Sequence, residues 1–165
     1  MLNFLSRTWV LLALFVAMMA IGYSFSFAQV ASGGELLDML WSGEDAKTRL
    51  AEMSAEQKRA HFNATVFNDT AYPLAYGGLF AGLIWRFGGV LRSWLVIPAL
   101  AVIFVDLAEN TAQALALVGN ESFLGLKDVL TPAKFGLFSA AALAVLISIG
   151  LAVFRRFRTA PDADD

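Results

Sequence analysis

The sequence predicts an all-α fold: an integral membrane four-helix bundle with a short amphipathic helical segment on its extracytoplasmic side. Three observations carry that reading. The 165 residues are 58% hydrophobic with a mean hydropathy of +0.64, too apolar for an ordinary soluble domain. The apolar residues are blocked into long runs, as membrane spans need and a soluble core does not. Charged residues gather at the ends of those runs and in one polar segment, about 29–70. The whole chain, 1–165, reads as one membrane domain.

Composition also narrows the chemistry. The net charge is −2 with no basic tract, so nucleic acid is not an expected partner. The absence of cysteine removes disulfides, thiol redox chemistry and cysteine-ligated metals. A lone His61 argues against bis-histidine haem and histidine-rich zinc or copper sites. Neither a metal nor a cofactor is expected; an all-carboxylate metal site stays open, though no motif marks one.

The first span covers about 8–27, behind Arg7. Two readings compete there. The apolar run has span length, but Ser26-Phe27-Ala28 before Gln29 also fits signal-peptide cleavage. In the segment 29–70, seven acidic and four basic residues describe a solvated surface. Its apolar patch Leu36, Leu37, Met39, Leu40 and Trp41 suits a short interfacial helix. Ser54-Ala55-Glu56-Gln57 spells a capping box, opening a helix toward Asn68. The segment reads as a lid over one end of the bundle.

The second span is about 71–87. Asp69, Tyr72 and Tyr76 share one face, at i, i+3 and i+7. Pro73 fits the first turn of a fresh helix; if the preceding helix runs straight in, its ring meets the Asp69 carbonyl and kinks the helix there. Ala71, Ala75, Gly78 and Gly82 form a small-residue seam for close helix packing. A tight basic hairpin from Arg86 to Arg92 leads to the third span, 93–117, with a bend expected at Pro98. A loop over 118–130 follows. Thr131-Pro132 reads as a hydroxyl cap and first-turn proline opening a fourth span, about 132–154. That span has its own seam of Gly136, Ala140, Ala144 and Ser148. Arg155, Arg156 and Arg158 end it, and the tail 155–165 finishes in an acidic run at 162–165. Arg7, Arg86, Arg92 and the three terminal arginines fall on one side of four spans, which predicts cytoplasmic termini and an external 29–70 segment.

The third span holds the candidate site. After twelve apolar residues, 94–105, come Asp106, Glu109, Asn110 and Gln113, all on one helical face. Carboxylates and amides are costly in hydrocarbon and usually face a bundle interior or a watery cavity. Asp106 falls near mid-bilayer, while Glu109, Asn110 and Gln113 fall in the half that also receives Asp69, Tyr72, Tyr76, Thr131 and Lys134. Lys134, in a first turn where the helix dipole disfavours a cation, either pairs with Glu109 or Asp106 or snorkels to the headgroups. The competing reading of the stripe is interhelical glue.

Asp69 with Tyr72-Pro73-Leu74 and Tyr76-Gly77, then Asp106-x-x-Glu109-Asn110, then Thr131-x-x-Lys134, resembles a group of short, uncharacterised bacterial four-span inner-membrane proteins over about 54–154. The resemblance implies the architecture and the inner membrane, with no activity attached. A more distant similarity, of layout alone, is to the EXPERA domain of sterol isomerases and sterol-binding proteins.

Three functions fit these residues. The first is a chamber that binds a small amphipathic or lipid-like ligand, with Asp69, Tyr72, Tyr76, Asn110, Gln113 and Lys134 orienting its head. The second is an intramembrane acid/base enzyme, such as a lipid or isoprenoid isomerase, with Asp106 and Glu109 catalytic. The third is a scaffold or assembly factor whose small-residue seams bind partner helices or a second copy of the chain. Membrane lipids are partners in every case.

Overall fold

The computed structural model describes residues 1–158, so the acidic run at 162–165 lies outside the described residues. A one-turn helix, α1 (Leu2–Leu5), turns at Ser6 into α2 (Thr8–Ala31). A 3₁₀ turn at Leu37–Met39 precedes α3 (Gly43–Glu52) and α4 (Ala55–Ala64), and α4 passes through a π-helical turn, Thr65–Asp69, into α5 (Thr70–Phe87). A second 3₁₀ turn, Gly89–Leu91, leads to α6 (Arg92–Leu95) and α7 (Ile97–Leu117); a third, Glu121–Leu126, leads to α8 (Lys127–Arg158). Among the described residues there is no strand.

Three helical stretches are long and apolar enough to cross a membrane: Thr8–Ala31, Gly89–Leu117 and Glu121–Arg158. They mark a membrane protein. Their exposed faces carry Trp9, Phe15, Met19, Phe104, Leu146 and many other large apolar side chains, as expected of helices that meet lipid rather than water. The fourth long helix, α5, is not among the three. It is the central one, packed against α2 on one side and α7 and α8 on the other. Gly77 makes that position workable: a Cβ there would fall 2.3 Å from Ile103 Cγ1 and 3.2 Å from the Ala99 carbonyl of α7.

Pro73 does not open a new helix. The chain enters α5 from α4 without a break, and the π-helical turn falls just ahead of the proline, where the ring would otherwise crowd the Asp69 carbonyl. Pro98 likewise sits in the first turn of α7, and the break comes at Val96, because the residues before a proline resist helical continuation. The expected cap at Thr131-Pro132 is also displaced. Helix α8 starts at Lys127, so Thr131 lies within it and Lys134 stands beyond the first turn. The loop predicted over 118–130 is mostly helical.

The polar segment folds as a cap. The capping box forms, with the Ser54 amide donating to Gln57 Oε1 at 2.8 Å and the Gln57 amide donating to Ser54 Oγ at 3.2 Å. The apolar patch 36–41 forms a 3₁₀ turn rather than an interfacial helix, and the helix begins after it at Gly43, behind the Ser42 cap. Leu37 is fully buried with Ala46, Leu50 and Met53, against Ala116, Leu117 and Leu124. The Gly43 amide donates to Asp128 Oδ1 at 2.8 Å, fastening the cap to the start of α8.

A second apolar core, of Ala81, Ile84, Val96, Ala99, Ala141, Ala144 and Val145, fills the other end. At that end Arg86 Nη1 donates to Thr8 Oγ1 at 2.9 Å and Arg155 Nη2 donates to the Phe87 carbonyl at 2.5 Å. Between the two cores lies a polar layer. The small-residue seam of α8 is divided, with Gly136 and Ala140 facing outward and Ala144 and Ser148 buried.

Candidate functional site: a charged layer and two cavities

The α7 stripe is buried throughout: Glu109 and Gln113 completely, Asn110 and Asp106 nearly so. Its members reach different neighbours. Glu109 is held from both sides by α8, through Lys127 Nζ on Oε1 and Lys134 Nζ on Oε2 at 2.8 Å. Thr131 Oγ1 donates to Glu109 Oε1 at 2.6 Å. Lys127, Thr131 and Lys134 stand at i, i+4 and i+7 of α8, so three successive turns present one ligand set to one carboxylate. A buried charge without such partners would cost several kcal/mol or more.

Lys134 does not snorkel; it is 4% exposed. Its second partner is Asp38, at 2.5 Å, delivered by the 3₁₀ turn of the cap. The cap therefore reaches into the bundle as well as covering it. The position of Leu37, immediately before Asp38, is set from α4. The Leu37 amide donates to Nε2 of the fully buried His61 at 2.8 Å, and His61 Nδ1 lies 3.1 Å from Thr65 Oγ1. Burial pushes the His61 imidazole below its ordinary value, as suits a neutral ring that accepts at Nε2 and donates from Nδ1.

Deeper in the layer, Tyr76 donates its phenol proton to Asp106 Oδ2 at 2.7 Å. Asn110 turns the other way, its Nδ2 donating to the Asp69 carbonyl at 2.6 Å. Four buried polar atoms here have no hydrogen-bond partner among the described residues: Asp69 Oδ2, Asn110 Oδ1 and both ends of the Gln113 amide.

Two cavities adjoin this layer. One, of about 240 Å³, is lined by Asp38, Met39, Tyr72, Tyr76, Asp106, Lys134, Phe135 and Phe138. The other, of about 400 Å³, is bounded by α2, the cap and α5 and includes Phe25, Leu36, Asp38, Met39, Asp69 and Tyr72. Asp38, Met39 and Tyr72 belong to both walls, so the two spaces are neighbours.

Of the residues singled out from sequence, Tyr72, Tyr76, Asp106 and Lys134 meet in the first cavity and Asp69 joins Tyr72 in the second. Glu109 and Gln113 line neither. Asn110 lines a separate groove of about 570 Å³ between α7 and the α4–α5 helix. Sequence reasoning missed Asp38, Lys127, Phe135 and Phe138. Two signals pointed to the charged pair: Asp38 interrupts the apolar run 36–41, and Lys127 shares a face with Thr131 and Lys134 once α8 is extended back past Pro132. No group of histidines and carboxylates among the described residues is placed to hold a metal ion. Compared with protein-family models, curated proteins and solved structures, the chain matches none.

Proposed function

We propose that the protein is a four-span membrane protein, with α5 as the fourth span, whose polar layer binds a small amphipathic or lipid-like molecule. The carrying observation is the 240 Å³ cavity, in which three ionisable groups, two phenols and an apolar wall converge. A few placed polar groups within mostly apolar walls is the usual composition of a ligand pocket. Helix α5 has 18 residues, about 27 Å at 1.5 Å per residue, close to the hydrocarbon thickness. The arginines at the Phe87 end favour cytoplasmic termini and an external cap, and the resemblance noted above favours a bacterial inner membrane.

Native mass spectrometry after gentle extraction tests the reading. Wild-type protein is expected to carry a small molecule that a Tyr76→Phe, Asp106→Asn double variant lacks; empty spectra from both proteins, with and without added membrane lipid extract, would sink it.

A second reading, acid/base catalysis, draws on the Tyr76–Asp106 hydrogen bond at the cavity wall. Glu109 is less suited to that role, because two lysines and a threonine engage it away from both cavities. Lipid profiles of a deletion strain separate the readings: an accumulating precursor favours catalysis and an unchanged profile favours binding.

A further inference from the structure

We infer that the ligand of the paired cavities carries an ammonium head on an apolar tail; this rests on the binding reading above and names its substrate class. The first argument is charge. Two lysines, Lys127 and Lys134, face four carboxylates in the layer: Asp38, Asp69, Asp106 and Glu109. The lysines are engaged by Glu109 and Asp38, and among the described residues neither Asp69 nor Asp106 has an ion pair of its own. Asp69 is 4% exposed, lines the larger cavity, and its Oδ2 has no partner. A buried, unpartnered carboxylate oxygen at a cavity wall calls for a donor.

The second argument is the wall. Tyr72 packs edge-on against Phe25 at 5.4 Å and against Tyr76 at 5.3 Å, and Tyr76 packs against Phe138 at 5.1 Å. Aromatic rings beside carboxylates are a recurrent environment of ammonium groups. An anionic head meets the opposite: its natural partner, Lys134, is already held by two carboxylates. Met39, Leu36, Phe135 and Phe138 supply the surface for a tail.

Asp69 adds a linked observable. Burial first, then the nearby Asp38, raises its carboxyl well above the usual carboxylate range, with Asp106 adding to the rise and Thr65 and Lys134 opposing it. A carboxyl so raised holds its proton more tightly than a free one, and an arriving cation opposes that proton, so ammonium affinity rises with pH.

The test uses the full chain in maltoside micelles, with decylammonium, decanol and decyl sulfate as probes of equal tail. Binding is followed by intrinsic fluorescence and by the shift in melting temperature. Decylammonium is expected to bind roughly tenfold or more tighter than decanol, with proton release, and more weakly to Asp69→Asn and Asp106→Asn. If decanol binds as well as decylammonium, the chamber stands and the cation inference falls. If no probe binds, the chamber reading falls with it. The wild type's selectivity among the three probes decides the matter even where an Asn variant does not fold: equal binding of decylammonium, decanol and decyl sulfate overturns the inference.

Discussion

The Asn110 side chain donates to the Asp69 backbone carbonyl, 2.6 Å away, and so replaces a hydrogen bond that Pro73 cannot make. In a regular helix the amide four residues on would take that carbonyl, but residue 73 has no N–H. The polar residue of one helix thus repairs the backbone of another. Replacing Asn110 by Ala should leave the buried carbonyl unpaired and cost about 1–3 kcal/mol. In the Pro73→Ala background, where an amide is restored, the same replacement should cost less. Thermal unfolding of the four proteins of this cycle in detergent measures the coupling; equal costs in both backgrounds would disprove the repair.

Glu109 is the keystone of the ionic layer because it alone touches both lysines. Glu109→Gln strips charge compensation from Lys127 entirely and leaves Lys134 with Asp38. A loss of about 3–5 kcal/mol is expected, as for breaking other buried pairs. Lys127→Met should cost clearly less, since Glu109 keeps Lys134 and Thr131. Denaturation midpoints of the two variants, compared side by side, check the order.

Acid should loosen the cap through His61. Its folded-state pKa lies below the unfolded value of 6.5, so the folded protein resists a proton that the unfolded chain accepts. Above pH 6.5 both forms are neutral and this group adds no pH dependence. As pH falls below that value, the unfolded state gains the proton and cap stability declines. Protonation of Nε2 would also turn the Leu37 amide's acceptor into a donor. The protection factor of the Leu37 amide, its exchange rate set against the intrinsic rate at the same pH, should fall between pH 7 and pH 5, by up to about tenfold per pH unit. His61→Asn should flatten that profile.

The long helices and the polar face of α7 were legible because both are local: apolar length marks a helix, and i, i+3, i+4, i+7 spacing marks a face. The capping box was legible for the same reason. Two kinds of feature were not. Helix boundaries near Pro73 and Pro132 depend on whether tertiary partners absorb the proline's defect, as Asn110 does for Asp69. Asp38 joins Lys134 across most of the chain length, and no spacing rule connects an acid in a cap to a lysine in α8. Sequence leaves Lys134 either paired with Glu109 or Asp106 or snorkelling to the headgroups; Glu109 is a partner, and the second partner, Asp38, comes from the segment that reads as a lid.

Orientation is open to a direct test because the chain has no cysteine, so a single introduced thiol is the only one present. Glu56 on the cap and Asn120 in the α7–α8 turn are exposed at one end, and Val90 is exposed in the basic turn at the other. If the arginine-rich end faces the cytoplasm, Glu56→Cys and Asn120→Cys should react with a membrane-impermeant maleimide in cells whose inner membrane is intact. Val90→Cys should react only after that membrane is opened. The reverse pattern would turn the protein over and place the cavities in the cytoplasmic half. Labelling of all three thiols in intact cells would deny that α5 and α7 cross the bilayer, because one crossing, by α5, separates Glu56 from Val90 and one, by α7, separates Val90 from Asn120.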